Sequence, residues 1–137
     1  MTATRNDDLG KLLLRITLGG LLLFHGLSKV LQGADGIHRM VGAAGLPDWL
    51  AYGVYLGEFV APLLVLLGLF ARPAALVIAF NMLVALLLVH TGQFFSLSKM
   101  GGWSLELQAF FLLNALTIAV IGAGALRVGK PDARWWA

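Results

Sequence analysis

The sequence predicts an all-α fold: an integral membrane bundle of four helices, forming one domain over 1–137. Three observations carry that reading. Hydrophobic residues make up 59% of the 137 and charged residues only 12%, against about 25% charged in a soluble domain. Four apolar stretches, at 12–31, 50–70, 73–89 and 105–126, hold 20, 21, 17 and 22 residues, each near the roughly 20 that cross a hydrocarbon core. The basic residues are divided unequally between the two ends of these stretches, as the positive-inside rule requires of a multi-pass chain.

The first helix is expected over 9–31. Its apolar run is longer than the roughly 7–15 residues of a cleaved secretory signal, so it is read as a retained span. Asp35 then suits the start of a short surface helix in which Ile37, Met40, Val41 and Ala44 recur at helical spacing. Pro47 precedes the second helix, 49–70. A tight turn at Ala71, Arg72 and Pro73 makes the second and third helices antiparallel neighbours. Pro73 fits the first turn of the third helix, 73–90, where its missing N–H is harmless. The fourth helix is expected over 104–126. Gly53, Gly57 and Ala61, like Ala115, Ala119 and Ala123, repeat every four residues. They leave grooves for close helix approach within the bundle or in a homo-oligomer.

Arg5, Lys11, Arg15, Arg72, Arg127, Lys130 and Arg134 fall on one side, and Lys29, Arg39 and Lys99 on the other. That asymmetry places both termini in the cytoplasm of a bacterial inner membrane. Trp49, Tyr52, Tyr55 and Trp103 are then expected in an outer aromatic belt, with Trp135 and Trp136 at the inner face. The net charge of +3 reads as topology, because the basic residues are too scattered to grip nucleic acid. The chain has no cysteine, which excludes thiol catalysis, disulfide relays, iron–sulfur ligation and thiolate zinc sites. No metal site is expected. The segments outside the membrane are too short for a nucleotide-binding or other soluble catalytic module.

Ionisable side chains inside lipid cost at least about 2.5 kcal/mol at a helix centre, so each asks for a partner or a purpose. His25, Glu58, His90 and Glu106 stand out, with Lys29 and Gln108 nearby. Counting about 1.5 Å per residue puts His25 and Glu58 some 3 to 6 Å outward of the midplane, and Lys29, His90 and Glu106 about 11 to 14 Å outward. These six residues outline a candidate ligand- or proton-binding pocket open to the outside. His25 and Lys29 share a helix face, and His25, Lys29 and Glu58 are expected to form one hydrogen-bonded cluster. Pro62 removes the backbone bond to the Glu58 carbonyl and is expected to kink the second helix. Asn81 and His90 lie nine residues apart, on opposite faces of an ideal helix, and Asn81 is the one to drop from the site. Asn114 falls near the midplane. Arg15 is expected to snorkel to the inner headgroups.

The segments FHGLSKV (24–30), GEFVAPLLVLLGLFARPAA (57–75), FNMLVALLLVH (80–90) and GGWSLELQAFFLL (101–113) resemble the DoxX family of small bacterial membrane proteins. The resemblance spans nearly the whole chain, with four motifs in order on four predicted helices. The family's characteristic polar positions fall on His25, Gly26, Lys29, Glu58, Asn81, His90 and Glu106. The C-terminal segment from Arg127 to Ala137 departs from the short tail with which members often close. The resemblance implies a membrane oxidoreductase, a subunit or relative of a quinone-linked complex such as one oxidising thiosulfate, or a partner of soluble redox enzymes.

Three functions are compatible with these residues. A redox accessory would hold a quinone between the helices, with His25, Lys29 or His90 donating to its carbonyls and Glu58 accepting a proton, next to a redox partner protein. A haem held by His25 and His90 fits less well, because their depths differ by roughly 7 Å. A proton-coupled small-molecule transporter would load Glu58 alternately with proton and substrate. A non-catalytic scaffold would recruit partner enzymes and leave the polar layer free to vary.

Overall fold

The computed structural model describes residues 4–33, 35–88, 92, 94–129 and 134–137. Thr4 opens helix α1 (Arg5–Gln32) with a capping box: its hydroxyl accepts from the Asp7 N–H at 3.3 Å, and its own N–H donates to the Asp7 carboxylate at 2.9 Å. This cap starts the helix one turn before the expected position. Its 28 residues span about 42 Å, more than the hydrocarbon core requires. One stripe is buried, formed by Arg15, Leu18, Gly19, Leu22 and Gly26 at helical spacing.

The amphipathic helix α2 (Asp35–Ala43) follows, with Val41 buried against the bundle. Helix α3 (Asp48–Leu67) begins as a 3₁₀ turn, widens into a π turn at Leu56–Val60 and ends at Gly68. Helix α4 (Ala71–Leu88) returns antiparallel to it. The tight connection therefore lies at 68–70, three residues before the expected Ala71–Pro73. Gly68 adopts φ 75°, and its N–H turns back onto the α3 carbonyls, so the left-handed glycine terminates the helix. Pro73 still falls in the first turn of α4.

Helix α5 (Glu106–Ile121) has 16 residues and stops well short of the expected 126. The hydropathy continues beyond it, but Gly122 and Gly124 both take φ 77° and break the helix. The following residues fold back across the bundle end. The Val128 N–H donates to the Leu67 carbonyl at 2.9 Å, and the Ala125 N–H to the Asp8 carboxylate at 2.9 Å. Thus α1, α3 and α4 are long and apolar enough to cross a membrane, and α5 is apolar but shorter. Among the described residues the extended pairing amounts to one bridge, Leu97 with Trp103, in the loop before α5.

Small side chains bring the helices close. Ala71, Ala74, Ala75 and Ala79 of α4 are buried in one core with Ala115 and Ile118 of α5, and Leu18, Leu22 and Val65 close it from α1 and α3. On α1, Gly19 faces the Pro62 carbonyl so closely that an added Cβ would sit 2.8 Å from that oxygen.

Candidate functional site

The site begins with a backbone irregularity. Pro62 has no N–H for the Glu58 carbonyl, and the chain responds upstream, where the Ala61 N–H reaches back five residues to the Leu56 carbonyl. The expected disturbance at Pro62 therefore takes the form of a π turn, a feature often found at functional sites. Glu58 lies in the middle of it. Its carbonyl faces Gly26 of α1, where an added Cβ would collide with the oxygen and with the backbone of Phe59. Only a residue without a side chain lets α1 approach this carbonyl, leaving a Cα–H directed at it. Gly26→Ala is expected to push α1 off the π turn, cost about 1–3 kcal/mol as overpacking and weaken the contact that Lys29 makes one turn further along. Thermal unfolding in detergent checks this.

Glu58 is buried, with its side chain 9% exposed. Lys29 Nζ donates to Oε2, and Asn81 Nδ2 donates to Oε1 at 3.4 Å. One carboxylate thereby joins α1, α3 and α4, each oxygen meeting a donor from a different helix. Asn81 reaches it because Gly57 leaves room: a Cβ there would lie 2.5 Å from the Asn81 side chain. The pairing answers the cost of a charge in this apolar setting, and the carboxylate keeps lone pairs for a further donor.

The group forms one wall of a cavity of about 720 Å³. His25, Lys29, Glu58, Asn81 and Gln108 give it a polar side, and its remaining lining is apolar. Ile37, Met40 and Val41 of α2 cover one end. A large apolar pocket with a few convergent polar groups is the usual form of a small-molecule site.

The sequence candidates divide on this geometry. Lys29, Glu58, His25 and Gln108 share the cavity. The hydrogen-bonded cluster has a different third member, however. Among the described residues His25 makes no hydrogen bond to Lys29 or Glu58, and its ring sets an edge against Phe111 at 5.9 Å between centroids. Asn81, set aside from the sequence, takes the place expected of His25. His90 lies outside the described residues. Glu106 does not line the cavity: it is the first residue of α5, its carboxylate folded close against Gly102, where negative charge suits the helix dipole. Asn114 and Thr117 donate to carbonyls of their own helix, Phe110 at 2.7 Å and Leu113 at 2.8 Å. Among the described residues no group of three or more His, Asp or Glu is placed to hold a metal ion.

Arg15 departs furthest from expectation. It does not snorkel; it is 1% exposed. Nε donates to the Val65 carbonyl at 2.9 Å, Nη1 to Ala123 and Leu126 at 2.8 Å each, and Nη2 to Leu66 at 3.0 Å. These carbonyls belong to the last turn of α3, where Val65 also accepts from the Gly68 N–H, and to the segment that follows α5. A signal was present in the sequence: Arg15 stands four residues before Gly19 on the stripe that includes Gly26, level with the glycines that stop both helices. Arg72 acts similarly, donating to Ala119 at 3.1 Å, Val120 at 2.8 Å and Ala137 at 3.2 Å.

The chain matches the DoxX family over residues 10–91. It is 32% identical over 119 residues, 87% of this chain and 84% of the relative, to a Bacillus subtilis protein named "Putative oxidoreductase CatD". It is 34% identical over 115 residues, 82% of each chain, to an uncharacterized protein of Haemophilus influenzae. No solved structure matches it. With the family match covering more than half of its length, the chain belongs to the DoxX family.

Proposed function

We propose that this protein is a quinone-linked redox accessory of the bacterial inner membrane, crossing it four times with both termini in the cytoplasm and the cavity facing outward. The observation that carries the reading is the Lys29–Glu58–Asn81 group set in the wall of an otherwise apolar cavity. The oxidoreductase name of the Bacillus subtilis relative supports the redox class, and the distribution of Lys and Arg supports the orientation.

The lining suits a quinone: apolar walls for the ring and tail, and amino and amide donors for carbonyl oxygens. When bound, such a group carries electrons and protons between membrane enzymes. The chain's own residues supply hydrogen bonds and a proton site. Lys29 Nζ and Asn81 Nδ2 are the donors for a ligand carbonyl, and Gln108 bounds the same space. Glu58 holds or gives up a proton at Oε2. Protonation there cancels its attraction for Lys29 and frees the ammonium to bond a ligand, so proton state and ligand contact are coupled through one pair.

Mass spectrometry of small molecules that copurify in mild detergent tests the reading. A quinone retained by the wild-type chain and lost from Glu58→Gln, at equal yield of folded protein, is the expected result. A preparation that carries no quinone, or whose Glu58→Gln variant retains it equally, overturns the reading in favour of a scaffold.

A further inference from the structure

We infer that protons and polar groups reach the Lys29–Glu58 pair only from the end of the bundle that carries α2, and that no aqueous route connects the pair with the end that carries Arg15. The inference takes from the preceding reading that the cavity is the working site, and it adds the direction of access.

The cavity reaches toward the Arg15 end as far as Leu76 on α4 and Leu22 on α1. Its α1 lining is Leu22, His25 and Lys29, its α5 lining is Leu107, Gln108 and Phe111, and α2 lies across its end. Directly below, five side chains from four helices meet: Leu18, Val65, Ala75, Ala115 and Ile118, none more than 1% exposed. All five are apolar, so the layer offers a proton no side-chain donor or acceptor. Beneath it the Arg15 guanidinium fills the space where α3 and α5 end, its bonds all directed at backbone carbonyls of those ends. A Cβ at Gly68 would lie 2.6 Å from Arg15 Nη2, so the glycine turn is pressed onto the guanidinium as well. From Arg15 to Leu22 the helix rises about 10 Å, which is the thickness of the seal. A fixed positive charge at its lower edge repels a proton arriving from that side.

Opening the seal would require both helix ends to part from Arg15 together. A carrier mechanism must expose Glu58 to the two faces in turn, which one-sided access does not allow. A proton released at Glu58 returns to the side it came from.

The cysteine-free sequence makes the test direct. Single cysteines are placed in the full-length chain at Val84, which lines the cavity; at Ala75, in the seal; and at Trp49 and Val128, exposed at the α2 end and the Arg15 end. Right-side-out and inverted membrane vesicles are treated with a charged, membrane-impermeant methanethiosulfonate, and unreacted thiols are counted after denaturation. Gel filtration selects variants that elute as the wild type, and Ala85→Cys, also on the cavity wall, replaces Val84→Cys if that variant misfolds.

Val84→Cys is expected to lose its thiol only in the vesicles in which Trp49→Cys does, and Ala75→Cys to keep its thiol in both. Modification of Val84→Cys from the Val128 side, modification of Ala75→Cys from either side, or protection of Val84→Cys from both sides overturns the inference. Labelling does not depend on the ligand. An absent quinone with one-sided labelling removes the proposed cofactor alone, whereas a retained quinone with two-sided labelling removes the one-sided access alone.

Discussion

Arg15→Met is expected to destabilise the bundle by about 3–5 kcal/mol, read as the loss in thermal unfolding of the purified protein in detergent. The substitution keeps an apolar stem of similar length and removes the guanidinium. The buried or partly buried carbonyls of Leu66, Ala123 and Leu126 then lose the guanidinium, and Val65 keeps only the Gly68 N–H; in an apolar interior each unsatisfied group carries its own desolvation cost. Arg15→Lys is expected to recover only part of the loss. Its ammonium has three donors at one point, whereas the guanidinium spreads five along a rigid plane and so reaches two helix ends at once. A wild-type unfolding curve for Arg15→Met would show that the carbonyls find water or other partners, and would remove the seal's lower edge.

The second large effect separates stability from binding at the ion pair. Lys29→Met strands a buried carboxylate with Asn81 as its remaining donor, and an uncompensated buried charge costs on the order of 3–5 kcal/mol unless the group takes up a proton. Glu58→Gln is milder, because its amide oxygen still accepts from Asn81 and the shape is kept. The double variant Lys29→Met with Glu58→Leu replaces both charges by apolar groups and is expected to recover most of the stability lost by Lys29→Met. All three are expected to bind quinone at least tenfold more weakly, a loss of about 1.4 kcal/mol or more. A double variant as stable as the wild type that binds quinone equally well would make the pair a clasp between α1 and α3 with no part in ligand contact.

The hydropathy pattern carried most of the architecture. Spans, short loops and the surface helix at Asp35 follow from the side-chain periods of 3.6 residues, and the positions of His25 and Glu58 in one cavity followed from matching depths on two helices, with Lys29 one turn beyond His25 on the same face. What sequence reasoning missed depends on backbone geometry. An ideal-helix count set Asn81 aside, yet whether it meets Glu58 depends on the π turn and on the notch at Gly57, neither of which a count of 100° per residue contains. The end of α5 was misplaced because alanine and leucine continue past Gly122, and hydropathy does not register a left-handed φ. Arg15 was misread because snorkelling is the ordinary recourse of an arginine one or two turns inside a membrane edge. Its real partners are carbonyls, which every residue has and no sequence pattern advertises. Glu106 shows the opposite error: a carboxylate that looked like part of the site stands at a helix start outside the cavity.

The Arg15 clamp also sets an order of events in biosynthesis. Chains emerge N-terminus first, so α1 meets the membrane before α3, α4 and α5, carrying an arginine whose acceptors have not yet been made. Val65 and Leu66 arrive some fifty residues later, and Ala123 and Leu126 more than a hundred residues later. Until then the nascent α1 holds an unmet charge, which favours a shallow, water-reaching position over the final one. The segment that follows α5 therefore draws α1 to its finished depth. Chains truncated after Ile121 are expected to be recognised by membrane proteases as unfinished, although every apolar helix in them has already been synthesised.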